Sequence, residues 1–230
     1  MNRLKAIVGS EKYTNIDEKK ENVTMYHSDM TLANAGQILF IPTSIDDILP
    51  STDQINTIYM PFSYYMLHFY KKDKDTIAHK DVFIYFDLEQ QPFFAELKRH
   101  LHVNDEQHAL SLRRMVDIRQ LNTFLLSDLF ILEELLGPCE QLETENRSEH
   151  KEEITHLVAV ATFKNKTTAN LVYQIFPEKK RTVEVRCGEE YAEKISQSYR
   201  YELDKMMQTA RKRDEQFKDK VKNLLRFFPT

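Results

Sequence analysis

From residue 30 onward the apolar positions of the chain first repeat with the period of a strand. QILFI (37–41), the aromatic run from Ile55 to Tyr70 and DVFIYFDL (81–88) are short apolar stretches punctuated by Asp and Lys. In the third, Val82, Ile84, Phe86 and Leu88 share one face while Phe83 and Tyr85 occupy the other. A strand apolar on both faces is covered on both, which predicts a central place in its sheet. Pro92 then suits an early helical position, and Phe93, Phe94, Leu97 and Leu101 follow at helical spacing. The pattern predicts a β-β-β-α unit closing near His102.

The period changes after Asn104 and Asp105. Residues 106–136 read as a long helix stopped by Gly137-Pro138, because glycine accepts a left-handed cap and proline cannot extend the helix. The glutamate-rich stretch 141–153 reads as a solvated loop. Three strands are expected next, at 154–163, 170–176 and 181–187, joined by polar turns as a meander. In the last of them Val183, Val185 and Cys187 alternate with Thr182, Glu184 and Arg186, so one face is buried and one wet. From about Glu189 to Phe227, Ile195, Tyr199, Leu203, Met206, Ala210, Phe217, Val221, Leu224 and Phe228 recur in steps dominated by three and four. That is a helical stripe, interrupted only near Arg213, and an unbroken helix of that span would exceed about 50 Å.

These elements predict an α+β protein with two small antiparallel sheets of about three strands each, packed with helices and ending in a long C-terminal helix. The expected divisions are a flexible leader at 1–29, a β-β-β-α unit at 30–103 and an α-β-β-β-α unit at 104–230. The leader is inferred from the charged stretch SEKYTNIDEKKENVT, which has few aliphatic residues to bury.

Composition narrows the chemistry. Only four glycines occur, Gly9, Gly36, Gly137 and Gly188, and no two lie close together. Phosphate-binding loops and dinucleotide fingerprints need several glycines so that backbone N–H groups can approach an anion, and G-x-S-x-G elbows need a glycine on each side of the nucleophile. The sequence contains none of these motifs. Two cysteines, Cys139 and Cys187, make neither a disulfide framework nor a thiolate zinc site, and they point to a reducing compartment. With no stretch long and apolar enough to span a bilayer, the expected location is intracellular, cytoplasmic or nuclear. The formal net charge of -4 removes general polyanion binding, so any nucleic-acid site has to be local.

Four groups of residues remain as candidates. His100, His102 and His108, with Asp105 and Glu106 between them, offer nitrogen and oxygen donors for zinc, although helical spacing makes the first two diverge. The aromatic run supplies Tyr64, Tyr65 and Phe69 as either core or an exposed protein-binding face. Tyr199, Leu203, Met206, Phe217, Val221 and Leu224 form the apolar stripe through which the long helix would dock a partner or a second protomer. Arg211, Lys212, Arg213, Lys218, Lys220 and Lys222 make that helix locally basic, as a phosphate-binding or merely solvated face would be. No catalytic residue and no cofactor are expected.

The order of elements over residues 30–230 resembles the RWD fold, in the tandem arrangement of kinetochore scaffold proteins. The tyrosine-proline signature of many RWD domains is absent, so the resemblance carries no family residue onto this chain. It implies a non-catalytic docking platform adjoining coiled coils. The expected function is therefore a protein-interaction scaffold acting through the C-terminal helix and an aromatic-rich sheet. Two alternatives stand beside it: a nucleic-acid-associated regulator using the basic helix, and a metal-assisted hydrolase at the histidines.

Overall fold

The structure is a computed structural model, and it describes residues 6–9, 24–26, 37–42, 46–47, 49, 55–70, 77–103, 109–147, 156–175, 183–187, 191–195 and 202–228. The class is α+β with two sheets, as the pattern predicts. The chain forms two compact units, one of residues 1–90 with 200–220 and the other of residues 91–199 with 221–230. The return of 200–220 to the first unit is something no contiguous division of a sequence can express.

The first unit is built on strands β1 (Ala6–Gly9), β2 (Thr24–Tyr26), β3 (Gln37–Ile41), β4 (Thr57–Pro61) and β5 (Asp81–Tyr85), all paired in parallel. Their order across the sheet is β5-β4-β3-β1-β2, and a two-residue strand β12 (Arg211–Lys212) adds antiparallel to the edge at β5. The expected antiparallel three-stranded sheet is thus a six-stranded, mainly parallel one. Two of its strands lie inside the stretch read as a flexible leader, where AIVG and TMY are too short to show a period by themselves.

The aromatic run divides between β4 and helix α1 (Phe62–His68). The helix begins directly after Pro61, whose extended backbone (φ -71°, ψ 148°) ends the strand. On the strands and directly after β5, Ile38, Leu39, Ile58, Met60, Val82, Ile84 and Phe86 are all at most 1% exposed. Parallel strands covered on both faces read as continuous apolar runs, which is the reason QILFI and DVFIY lack strict alternation. Helix α2 (Asp87–Gln90) follows β5 within two residues.

The second unit holds helix α3 (Phe94–Val103), strand β6 (Ala109–Val116), helix α4 (Leu121–Leu136) and strands β7 (Cys139–Arg147), β8 (His156–Phe163), β9 (Thr168–Ile175), β10 (Val183–Cys187) and β11 (Tyr191–Ile195). The order is β11-β10-β6-β9-β8-β7, antiparallel except for the central parallel pair β6 and β9. Gly137 ends α4 as expected, with φ +85° and its N–H donating to the Glu133 carbonyl at 3.0 Å.

Three expected elements change identity here. The first part of the expected helix 106–136 is β6, in which Leu110, Leu112, Arg114 and Val116 alternate into the core. The buried Arg114 hides the period, because a charged residue occupies an inward position. The glutamate-rich loop is instead β7, an edge strand whose polar residues face solvent. The start of the expected C-terminal helix is β11, hairpinned onto β10 with Tyr191 opposite Cys187 and Ile195 opposite Val183.

The long C-terminal helix is not formed. Among the described residues it is two helices, α5 (Leu203–Thr209) and α6 (Glu215–Leu225), separated by β12. Arg211 and Lys212 pair with Ile84 and Phe83, and the Arg213 N–H donates to the Val82 carbonyl at 2.8 Å. The Asp214 carboxylate then accepts from the Phe217 N–H at 2.9 Å, starting a new helix with a side-chain cap. Sheet bonding at 211–213 competes with helix continuation and wins. No helix among the described residues is long and apolar enough to cross a membrane.

Candidate functional site

A parallel sheet ordered β2-β1-β3-β4-β5 reverses direction between β1 and β3. Two neighbouring strands whose connections leave toward opposite sides open a crevice outside their carboxyl ends, and ligands of open α/β sheets bind there. In this chain the carboxyl ends are Gly9 on β1 and Ile41 on β3, flanked by Pro61 and Tyr85 on β4 and β5.

Side chains brace this end of the sheet. The Tyr85 hydroxyl donates to the Phe40 carbonyl at 2.9 Å, tying β5 to β3 across β4. The Tyr64 ring stands edge-on to Phe40 with centroids 4.7 Å apart. Its hydroxyl donates to the Asp47 carbonyl at 2.9 Å and accepts from the Leu49 N–H at 3.0 Å, pinning the segment that follows β3. Burial holds the Tyr64 phenol above its ordinary pKa, and the Asp47 carboxylate adds to the effect.

At the end of β5 a second group forms. The Arg211 guanidinium makes a two-pronged contact with the Glu89 carboxylate, one arm at 2.6 Å, and lies over the Phe86 ring at 5.4 Å. The Gln90 amide donates to the Thr209 hydroxyl at 2.9 Å, and Lys212 pairs with Asp81 at 2.7 Å. Glu89 is buried and Arg211 half-buried. Close two-pronged geometry makes this more than a surface pair.

These contacts correct the reading of one continuous basic face. Arg211 is engaged by Glu89, Lys212 by Asp81, Arg213 by the Ile77 carbonyl at 3.2 Å and Lys218 by Glu215 at 2.9 Å. Lys220 and Lys222 lie on α6, and the six cations form no common row because β12 separates the first three from the rest. The partner-binding reading is overturned as well. Tyr64, Tyr65, Leu203, Met206, Phe217, Val221 and Leu224 are each at most 6% exposed, so the stripe is core. Leu203 and Met206 pack with Leu39, Ile41 and Tyr85, while Phe217 meets the rings of Phe62 and Tyr65. Phe69 is half-buried against Tyr64, and Tyr199 lies outside the described residues.

The histidines do not converge among the described residues. His100 sits one helical turn from Glu96, 3.3 Å away, and His108 lies outside the described residues, as does the side chain of His102. No group of three or more His, Cys, Asp or Glu able to hold a metal occurs among the described residues. Both cysteines are buried. The Cys139 thiol, next to Glu133, is pushed up to about 11, first by burial and then by that carboxylate, so it is protonated and inert at neutral pH.

The second unit contains a buried polar cluster that sequence reasoning missed. Arg114 on β6 meets the Asp128 carboxylate of α4 at 2.9 Å, and the Tyr173 hydroxyl on β9 donates to the same carboxylate oxygen at 2.9 Å. All three residues are at most 2% exposed. Burial, reinforced by the negative charge of Asp128, raises the Tyr173 pKa well above its ordinary value, keeping it a donor. A buried carboxylate facing a guanidinium and a fixed hydroxyl is a packing lock joining helix to sheet.

The first unit is an open, mainly parallel sheet and the second a mixed one, a strand order that corrects the RWD resemblance. Along its whole length the chain is similar in structure to UDP-N-acetylglucosamine 3-dehydrogenase GnnA from Acidithiobacillus ferrooxidans, with a TM-score of 0.50, 12% identity and 91% of that chain covered. The WlbA (WbpB) dehydrogenase from Thermus thermophilus, in complex with NAD and UDP-GlcNAcA, aligns at a TM-score of 0.49 and 12% identity over 98% of this chain and 85% of that one. The apo scyllo-inositol dehydrogenase from Lactobacillus casei gives 0.49 and 11% over 85% and 76%. No protein-family model and no curated protein sequence matches the chain. The GnnA likeness establishes the fold; an RWD scaffold has no parallel sheet of this order, so the kinetochore and coiled-coil expectations fall with it.

A dinucleotide in such a crevice is held by G-x-G-x-x-G after the first strand and by an acid about twenty residues further on. This chain fits the pattern poorly. Counting from Gly9, the second and third glycine positions fall on Glu11 and Thr14. Asp29 does stand at the spacing of the ribose-binding acid. Two of the three glycine positions of that fingerprint thus hold other residues, and the sequence does not fit a diphosphate cradle of this kind.

Proposed function

We propose that the chain is an oxidoreductase of the dehydrogenase architecture, with its small-molecule site in the crevice outside the carboxyl ends of β1 and β3. The reversal of strand order at β1 and β3 carries this reading, because ligands of open parallel sheets bind outside the carboxyl ends of the strands at such a point. The bracing of that end by Tyr85 and Tyr64 supports it, since a preformed site is held by neighbours that do not move on binding. GnnA acts on a sugar nucleotide by its name, and hydroxyl-bearing ligands of that kind are the first class to test here.

The measurement is a thermal-shift and calorimetric screen of the full chain against sugar nucleotides, free sugars and polyols. One of them is expected to bind saturably and to stabilise the fold by about 2.7 kcal/mol at a hundred times its dissociation constant. Pro42→Trp, at a half-buried position directly after β3, is expected to abolish that binding with the fold retained. Oxidation of the bound hydroxyl is then followed with a nicotinamide dinucleotide and with a dye acceptor in separate arms. A screen without ligands, or binding that survives Pro42→Trp, would remove this reading.

A further inference from the structure

We infer that this chain has no diphosphate cradle at the end of β1 and does not retain a dinucleotide in the manner of its fold. The inference rests on the crevice assigned above and concerns what that crevice refuses. The parallel pairing of β1 with β2 and β3 puts Gly9 at the carboxyl end of β1, where the turn of a dinucleotide-binding fold begins. The sequence there is Gly9-Ser10-Glu11-Lys12-Tyr13-Thr14. The fingerprint's second glycine lets the backbone approach the pyrophosphate and its third permits close helix–strand packing. A glutamate at the second position adds both bulk and a negative charge to a site that has to receive two phosphate charges.

None of the other three glycines stands in that turn. Gly36 directly precedes β3, at the amino end of the sheet and therefore opposite the crevice. Gly137 caps α4 and Gly188 follows β10, both in the second unit. Nor does Arg211, near the end of β5, offer an uncommitted charge for phosphate, because Glu89 holds it with two contacts.

The test is a fluorescence titration of the full natural chain with NADH and with NADPH, in parallel with Glu11→Gly/Thr14→Gly. The natural chain is expected to show no saturation up to about 1 mM, while the double substitution, with its circular dichroism unchanged, is expected to bind at least about tenfold more tightly. Saturation of the natural chain at about 1–10 µM would overturn the inference. An affinity unchanged by the double substitution would overturn its assignment to the β1 turn. The two readings fail separately: a natural chain that binds NADH tightly leaves the proposed oxidoreductase standing, and one that binds neither NADH nor any sugar or polyol defeats that proposal while supporting this inference.

Discussion

Arg114 shows how one residue can conceal an element. Its charge at an inward position of β6 makes ALSLRRMV look helical, yet the side chain is 2% exposed and paired with Asp128, whose carboxylate also accepts from Tyr173. Removing one partner from such a cluster is far costlier than removing all, since an unpaired charge stays behind in a dry interior. Asp128→Ala is therefore expected to cost about 3–5 kcal/mol in urea unfolding, and Tyr173→Phe about 1–2 kcal/mol. Joint replacement of Arg114, Asp128 and Tyr173 by apolar residues is expected to cost less than Asp128→Ala alone. Cys139 makes a prediction of opposite kind. Its thiol ionises near 9 when unfolded and at about 11 in the fold, so the folded state keeps a proton that the unfolded chain releases. This contribution to stability is complete below pH 9 and is lost as pH rises toward 11. Alkylation of Cys139 at pH 7.5 is expected to be negligible in the native protein and fast in urea, as mass spectrometry of the labelled peptide would show.

At the scale of elements, the amphipathic stripe from Tyr199 to Leu224 was legible and its apolar face is indeed buried where described, but what it packs against was not. Periodicity reports which residues turn inward, whereas continuity depends on whether another bonding arrangement is available to the backbone. Here the edge of β5 supplied one, and the chain leaves the helix at Ala210 to add β12. Met206, fully buried among Leu39, Ile41 and Tyr85, is expected to cost about 2–5 kcal/mol on truncation to Ala. Glu89→Ala, which leaves Arg211 half-buried without its carboxylate, is expected to cost about 1.5–3 kcal/mol. Deleting residues 203–230 strips cover from the parallel sheet and is expected to give an aggregating product by light scattering, rather than a folded protein that has merely lost a docking arm.

For the whole molecule, the scarcity of glycine bears on the site and not on the sheet. A doubly wound sheet requires apolar strands and crossovers of adequate length; its glycine fingerprint serves the ligand. Absence of the fingerprint therefore bears on how a dinucleotide could be held and not on the fold. The crevice between β1 and β3 had no sequence signal of its own, because it arises from the order in which strands pair. β1 and β2 are a few residues each, too short for any period to announce them.

By itself the sequence determined the α+β class, the positions of β3, β5, β8, β9 and β10 to within a few residues, the stop at Gly137 and the absence of a glycine fingerprint. Each of these is local: it follows from side-chain period, backbone freedom or the residues of a single turn. Only the tertiary structure decided that five strands pair in parallel, that Leu203 to Arg213 return to the first unit, that Arg114 is an interior residue and that Arg211 and Lys212 pair with Glu89 and Asp81. Those outcomes join residues as far apart in sequence as Asp81 and Lys212, and pairing over such separations is set by which distant surfaces and charges meet, a quantity that no window of sequence contains.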